Sequence, residues 1–264
     1  MKTPQFCIIT PTPYLEPFAS QSSMHLVLAH LVDTDETYAE FYRGRNEFKI
    51  MDNGAFELGE SYDPNKLIEL ARKCSADAIV LPDYPFEPSE RTLEAAITLG
   101  PQVREQGFKT FFCPQAPVGR TEEWIEAYDW GANNSLIDIV GMSILAIPNA
   151  LPHIPKAYAR VVMTQMLIDR GVFNFNKYHH YLGLNAGPAL EMPPLIEMGA
   201  MDSCDSSNPV WMGVLGHRYN GNTDSFLPVS KVKMEVEFDY PLTKDQTTLD
   251  NIQHNIDMTL SLFE

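Results

Sequence analysis

The chain has 264 residues, 44% of them hydrophobic and 20% charged, a composition that fits one globular domain with a large core. Its formal net charge of -16, from 19 Lys and Arg against 35 Asp and Glu, excludes indiscriminate charge-driven binding to nucleic acid but leaves room for a local basic face. No apolar run approaches the roughly 18 residues of a membrane span, and the proline-rich start MKTPQFCIITPTPY makes a poor signal peptide, so a cytoplasmic location is expected.

In chain order, short apolar or β-branched runs alternate with helical patterns, the signature of repeated β/α units. Strands are predicted at FCIIT (6–10), FKIMD (48–52), AIVLPD (78–83), TFFCPQ (110–115), IDIVGMS (137–143), YHHYLGL (178–184) and AMDSCD (200–205). Helices are predicted at 24–43, 64–74, 87–107, 120–130 and 155–169, where apolar residues recur at three- and four-residue spacing. Residues 188–199 form a weaker helix because two prolines interrupt them. Asp63-Pro64 reads as an N-cap with proline at the first helical position, and Thr121 as the residue before an acidic first turn. The eighth strand is either VWMGVL (210–215) or KVKMEVEF (231–238), and a closing helix follows at 247–263. No repeat or linker divides the chain, so a single-domain (β/α)8 TIM barrel over residues 1–264, irregular at the eighth strand, is the expected fold.

In such a barrel the active site is built at the C-terminal ends of the strands. Asp52, Asp83, Gln115, Gly141, Met142, Asn185 and Asp205 fall there, so three aspartates from three strands would meet at one mouth. A single Asp at a strand end is also an ordinary turn former; the joint pattern is what points to chemistry. Asp202, three residues before Asp205, lies on the other side of the alternation and is read as structural or solvated. Cys7, Cys74, Cys113 and Cys204 are scattered without a CxxC, so neither a metal site nor a disulfide framework is expected.

The spaced set MDNGAFE (51–57), LPD (81–83), PQ (114–115), VGMS (140–143), HYLGLN (180–185) and EMGAMDSCDSS (197–207) resembles, in this order, the motifs of the tRNA-guanine transglycosylases. The resemblance runs from about residue 48 to 219 and is nearest to the phage enzymes that exchange guanine in DNA for a 7-deazaguanine (the DpdA type). It implies Asp205 as the nucleophile and Asp52 as the general acid/base. Asp83 and Gln115 would hold the guanine edge, and the backbone of Gly141 would meet the base carbonyl. Asn53 stands where the tRNA enzymes have serine, and Asn185 replaces a glycine. Those enzymes also carry a zinc site near the C-terminus, whereas no cysteine follows Cys204 here. The resemblance therefore implies DNA rather than tRNA as the nucleic-acid partner, a 7-deazaguanine base such as preQ0 as co-substrate, no cofactor, and a host cytoplasm if the chain is phage-encoded.

These residue types suit base exchange. A carboxylate that attacks C1′ forms a covalent glycosyl intermediate and keeps the sugar tethered between the two steps. A second carboxyl protonates the departing base and later takes the proton from the incoming one. Guanine presents two parallel donors, which an acceptor-only carboxylate such as Asp83 can engage together. Ser206 and Ser207 leave room for a sugar. The base must be taken out of the stack or presented on a single strand, and Phe56 and Met142 are candidates to sandwich it, although both also suit ordinary core packing. Lys177, His179, His180, His217 and Arg218 are candidates for phosphate contact, with solvated or structural roles as the alternative. Two other activities use the same aspartates: exchange in tRNA, and hydrolysis that releases a 7-deazaguanine. A barrel that only binds nucleic acid is the reading from another class.

Overall fold

The computed structural model describes residues 3–184, 188–220 and 236–263. Strands and helices alternate in the order β1 (Gln5–Ile8), β2 (Met24–Val27), α1 (Ala29–Thr34), α2 (Glu36–Arg43), β3 (Phe48–Met51), α3 (Ala55–Leu58), α4 (Pro64–Lys73), β4 (Ala78–Val80), α5 (Ser89–Glu105), β5 (Lys109–Phe112), α6 (Thr121–Asn133), β6 (Ile139–Gly141), α7 (Ala146–Ala150), α8 (Lys156–Asp169), β7 (Tyr178–Tyr181), α9 (Pro188–Glu197), β8 (Ser203–Ser206), α10 (Asn208–Val214) and α11 (Gln246–Leu260). Every strand pair is parallel, in the order β1-β8-β7-β6-β5-β4-β3-β2. β1 and β2 lie side by side without a ladder, so the eight strands make a TIM-like barrel with one unsealed seam. The Ile8 N–H donates to Ser22 Oγ at 2.9 Å, a side-chain bond near that seam.

Three other strand pairs are clamped by an aspartate just before the even-numbered strand. Asp77, Asp138 and Asp202 each accept from a backbone N–H of the preceding strand through Oδ2: Lys49 at 2.8 Å, Thr110 at 2.9 Å and His179 at 2.9 Å. Each also donates its own N–H to the carbonyl of that same residue. The clamp pairs edge groups that the short ladders leave over. Asp202 is therefore a structural aspartate at the N-terminal end of β8, as the alternation in the sequence suggests.

All seven predicted strands form, with their ends shifted by a few residues. The remaining strand is a correction. It is β2, inside the segment expected to be one helix over 24–43. All four of its residues, MHLV, are buried. A strand covered on both faces has no alternation to distinguish it from helix. VWMGVL instead falls largely within α10, and residues 236–238 of the other candidate form no strand, the rest of it lying outside the described residues.

Helix punctuation holds at Asp63, whose Oδ1 accepts from the N–H groups of Asn65 and Lys66. Thr121 is already inside α6, and its hydroxyl donates to the Ala150 carbonyl instead of capping. α9 continues through Pro193 and Pro194, because Glu191, Met192 and Leu195 are buried on the barrel and tertiary packing outweighs the two lost N–H donors. Among the described residues, no helix is long and apolar enough to cross a membrane.

Candidate active site

The strand ends bring the three predicted aspartates into one mouth. Asp52 directly follows β3, and its Oδ2 accepts from the Gly54 N–H at 3.0 Å, a turn that Gly54 makes with a left-handed φ of 78°. Burial pushes the Asp52 carboxyl up to about 6, against the pull of the Gly54 N–H, and the negative charges of Asp83 and Asp205 add to the rise. Asp52 thus feels aspartates delivered by both β4 and β8.

Asp83, three residues beyond β4, is held by two side-chain amides. Asn53 Nδ2 donates to its Oδ1 at 2.6 Å and Gln115 Nε2 to its Oδ2 at 2.5 Å. Asn53 is itself fixed, donating to the Leu81 carbonyl at 3.0 Å and accepting from the Ala55 N–H at 2.9 Å. Burial raises the Asp83 carboxyl, and the Asn53 and Gln115 donors hold it down in part. Cys113 completes the cluster, with Gln115 Nε2 3.5 Å from its Sγ. Its thiol is pushed well up by burial and by the Asp83 charge, so it is an inert neighbour and no nucleophile.

Asp205 lies on β8 with 5% of its surface exposed. Its Oδ1 is 3.0 Å from His180 Nε2 and accepts from the Gly183 N–H at 2.9 Å. His180 Nδ1 in turn sits 2.7 Å from Ser203 Oγ. Gly183 adopts a left-handed φ of 70° and is anchored through its carbonyl by the guanidinium of Arg160, from α8, at 2.8 Å. Arg160 is fully buried. It also donates to the carbonyls of Met142 and Leu182, both at 3.0 Å, and makes a two-point pair with Glu191 of α9. Every N–H of the guanidinium fork is used, and the loops after β6 and β7 are tied together behind the nucleophile candidate.

The other expected residues fall differently. Gly141 ends β6, and a Cβ there would come within 2.5 Å of the Phe111 ring, so its glycine is required by packing whatever its amide meets. Met142 is wholly buried in the core. Phe56 belongs to α3, its side chain lying outside what is described, and Asn185 falls outside the described residues. Ser206 Oγ accepts from the Asn208 N–H at 3.0 Å, and Ser207 caps α10 without a side-chain bond.

The expected phosphate contacts are corrected for three residues. Lys177 precedes β7, at the opposite end of the barrel from the mouth, and donates to the carbonyls of Asn134 and Ile137. His179 is buried against α6, with Nε2 2.8 Å from the Tyr128 hydroxyl and its ring stacked on Phe173. His180 is enclosed beneath Asp205. Strand alternation explains the pair, sending His179 outward and His180 inward. His217 is half-buried and Arg218 exposed, both beyond α10.

The sequence reading missed His180 as a partner of Asp205, Asn53 as a partner of Asp83, and the Arg160–Glu191 pair. Only the first had a signal: in YHHY one of two adjacent histidines must face the barrel interior. Among the described residues no three His, Cys, Asp or Glu side chains gather as a metal site, and all four cysteines are free and buried. Compared with protein-family models and with curated proteins, the chain matches none, so its site has to be understood from its own residues.

Proposed function

We propose that the chain is a guanine transglycosylase that replaces guanine in DNA with a 7-deazaguanine base through a covalent aspartyl-glycosyl intermediate. One observation carries the reading: three carboxylates from three strands share the mouth of the barrel, each in a different environment. Carboxylates held in different surroundings let one site assign nucleophilic work to one and acid/base work to another.

Asp205, supplied with two close partners on one oxygen, is the nucleophile. Its attack on C1′ forms the C–O bond as the C1′–N9 bond breaks, the electron pair leaving on N9. Asp52, raised to about 6, keeps its protonated form within reach near neutrality and gives that proton to the leaving base, then takes one from the incoming base. Asp83, presented by Asn53 and Gln115, accepts the paired donors of the guanine edge. No step in this scheme calls for a cofactor.

The test is incubation of the protein with guanine-labelled DNA, and separately with tRNA, in the presence of a 7-deazaguanine such as preQ0. Label released from DNA together with incorporation of the new base is the expected result. Release without incorporation would make the protein a hydrolase that uses the same aspartates. Exchange confined to tRNA would move the substrate, and no release from either nucleic acid would overturn the proposal.

A further inference from the structure

We infer that His180 is the positioning residue of the nucleophile: it donates from Nε2 to Asp205 Oδ1 and, with the Gly183 amide, reserves Oδ2 as the oxygen that attacks C1′. The inference rests on the transglycosylase reading and deepens it.

The geometry starts from strand register. His180 and Ser203 are Cα partners across β7 and β8, and Asp205 lies two residues further on the same inner face. The imidazole therefore bridges from Ser203 Oγ, 2.7 Å from Nδ1, to Asp205 Oδ1, 3.0 Å from Nε2. It has no exposed surface, and the Phe111 ring meets it edge-on at 5.7 Å between centroids. Phe111 can occupy that place because Gly141 has no Cβ. The ring is out of solvent and has a partner at each nitrogen.

An ionised carboxylate only accepts hydrogen bonds, so Nε2 must carry the proton whatever the charge of the ring. In the neutral ring Nδ1 then accepts from the Ser203 hydroxyl. Both hydrogen bonds to Asp205 fall on Oδ1, and among the described residues Oδ2 takes none. Two donors on one oxygen fix the carboxylate plane and give a nearly buried polar group its hydrogen-bond partners. When Oδ2 bonds to C1′, Oδ1 becomes the ester carbonyl and still faces the same donors. They favour the carboxylate over the ester, so they also ease its departure when the incoming base attacks. An exchange enzyme needs both directions.

The decisive measurements are the ring-nitrogen chemical shifts of His180 in 15N-labelled protein, together with kinetics of His180→Leu and His180→Gln. The expected spectrum has Nε2 protonated; an Nδ1–H tautomer, with a bare Nε2 facing Asp205, would overturn the inference without any substrate being added. His180→Leu is expected to lower kcat about 10- to 100-fold, as for loss of a hydrogen bond to a charged group, with KM for DNA little changed. Glutamine, whose amide reaches the Nε2 position, should recover most of that loss. Equal kcat for wild type and His180→Leu, or no recovery by glutamine in a folded variant, sinks the positioning role while leaving the transglycosylase reading intact. A wild-type protein that neither exchanges nor releases guanine sinks that reading and this inference with it.

Discussion

Asn53 and Asp83 meet at 2.6 Å, joining the loop after β3 to the loop after β4 through a side-chain amide that is only 2% exposed. The same amide nitrogen reaches the Leu81 carbonyl and the same amide oxygen takes the Ala55 N–H, so no freedom is left for it to turn. In Asn53→Ser the side chain is too short to hold Asp83 in the same way. We expect the variant to fold and to discriminate less sharply between guanine and other purines, by about 1 to 3 kcal/mol for a lost bond to a charged group. Competition between labelled guanine and adenine bases in the exchange assay measures it. Unaltered selectivity would remove Asn53 from base recognition.

Asp52 gives a pH prediction. Its folded-state value of about 6 lies above the ordinary 3.8, chiefly because of burial, so the folded protein binds this proton more tightly than the unfolded chain does. Its contribution to stability is complete below about 3.8 and is lost as pH rises through about 6. On the proposed mechanism, the proton given to the departing guanine is lost over the same upper range. Asp52→Asn should therefore be inactive, yet lose less thermal stability than wild type between pH 5 and pH 8. Parallel melting curves for the two proteins across that range would contradict this assignment of the proton.

What the sequence discloses here follows from how each element is covered. Seven strands are readable because turn residues bracket apolar runs, whereas β2 merges into the helical pattern after it because all of MHLV is buried. The three aspartates are readable because a (β/α)8 frame places strand ends on one face. Their partners are not: Asn53 and Gln115 reach Asp83 across 30 and 32 positions, and Arg160 reaches Glu191 across 31. No local pattern encodes contacts of that span. The histidines of β7 show the limit most clearly, since alternation says that one faces inward but not which one, nor that an aspartate waits there.

Arg160 and Glu191 lie entirely out of solvent, so removing one partner strands the other's charge in the core. Glu191→Leu should cost about 3 to 5 kcal/mol in urea unfolding. It should also loosen Gly183, whose carbonyl Arg160 holds and whose N–H reaches Asp205, so exchange should fall even at temperatures where the variant is folded. A loss of under about 1 kcal/mol would mean that the guanidinium's three carbonyl partners suffice to keep it in place.

His179 gives a prediction for acid stability. Burial lowers it to about 3, and the Lys177 ammonium also disfavours a second positive charge, while a backbone hydrogen bond near Lys177 acts the other way. A base whose folded value is depressed stabilises the protein above its unfolded value of 6.5, and that stability is lost as pH falls towards 3. Between pH 7 and pH 4 the loss amounts to about 3 kcal/mol at roughly 1.4 kcal/mol per pH unit. His25, buried on β2 and lowered to about 4, adds in the same direction. His179→Phe preserves the stack on Phe173 but leaves the Tyr128 hydroxyl without its 2.8 Å partner, a cost that does not vary with pH. The variant should therefore melt below wild type at pH 8, and the gap should close or reverse by pH 4. A gap of constant size from pH 8 to pH 4, followed by circular dichroism, would show that acid unfolding is driven elsewhere in the barrel.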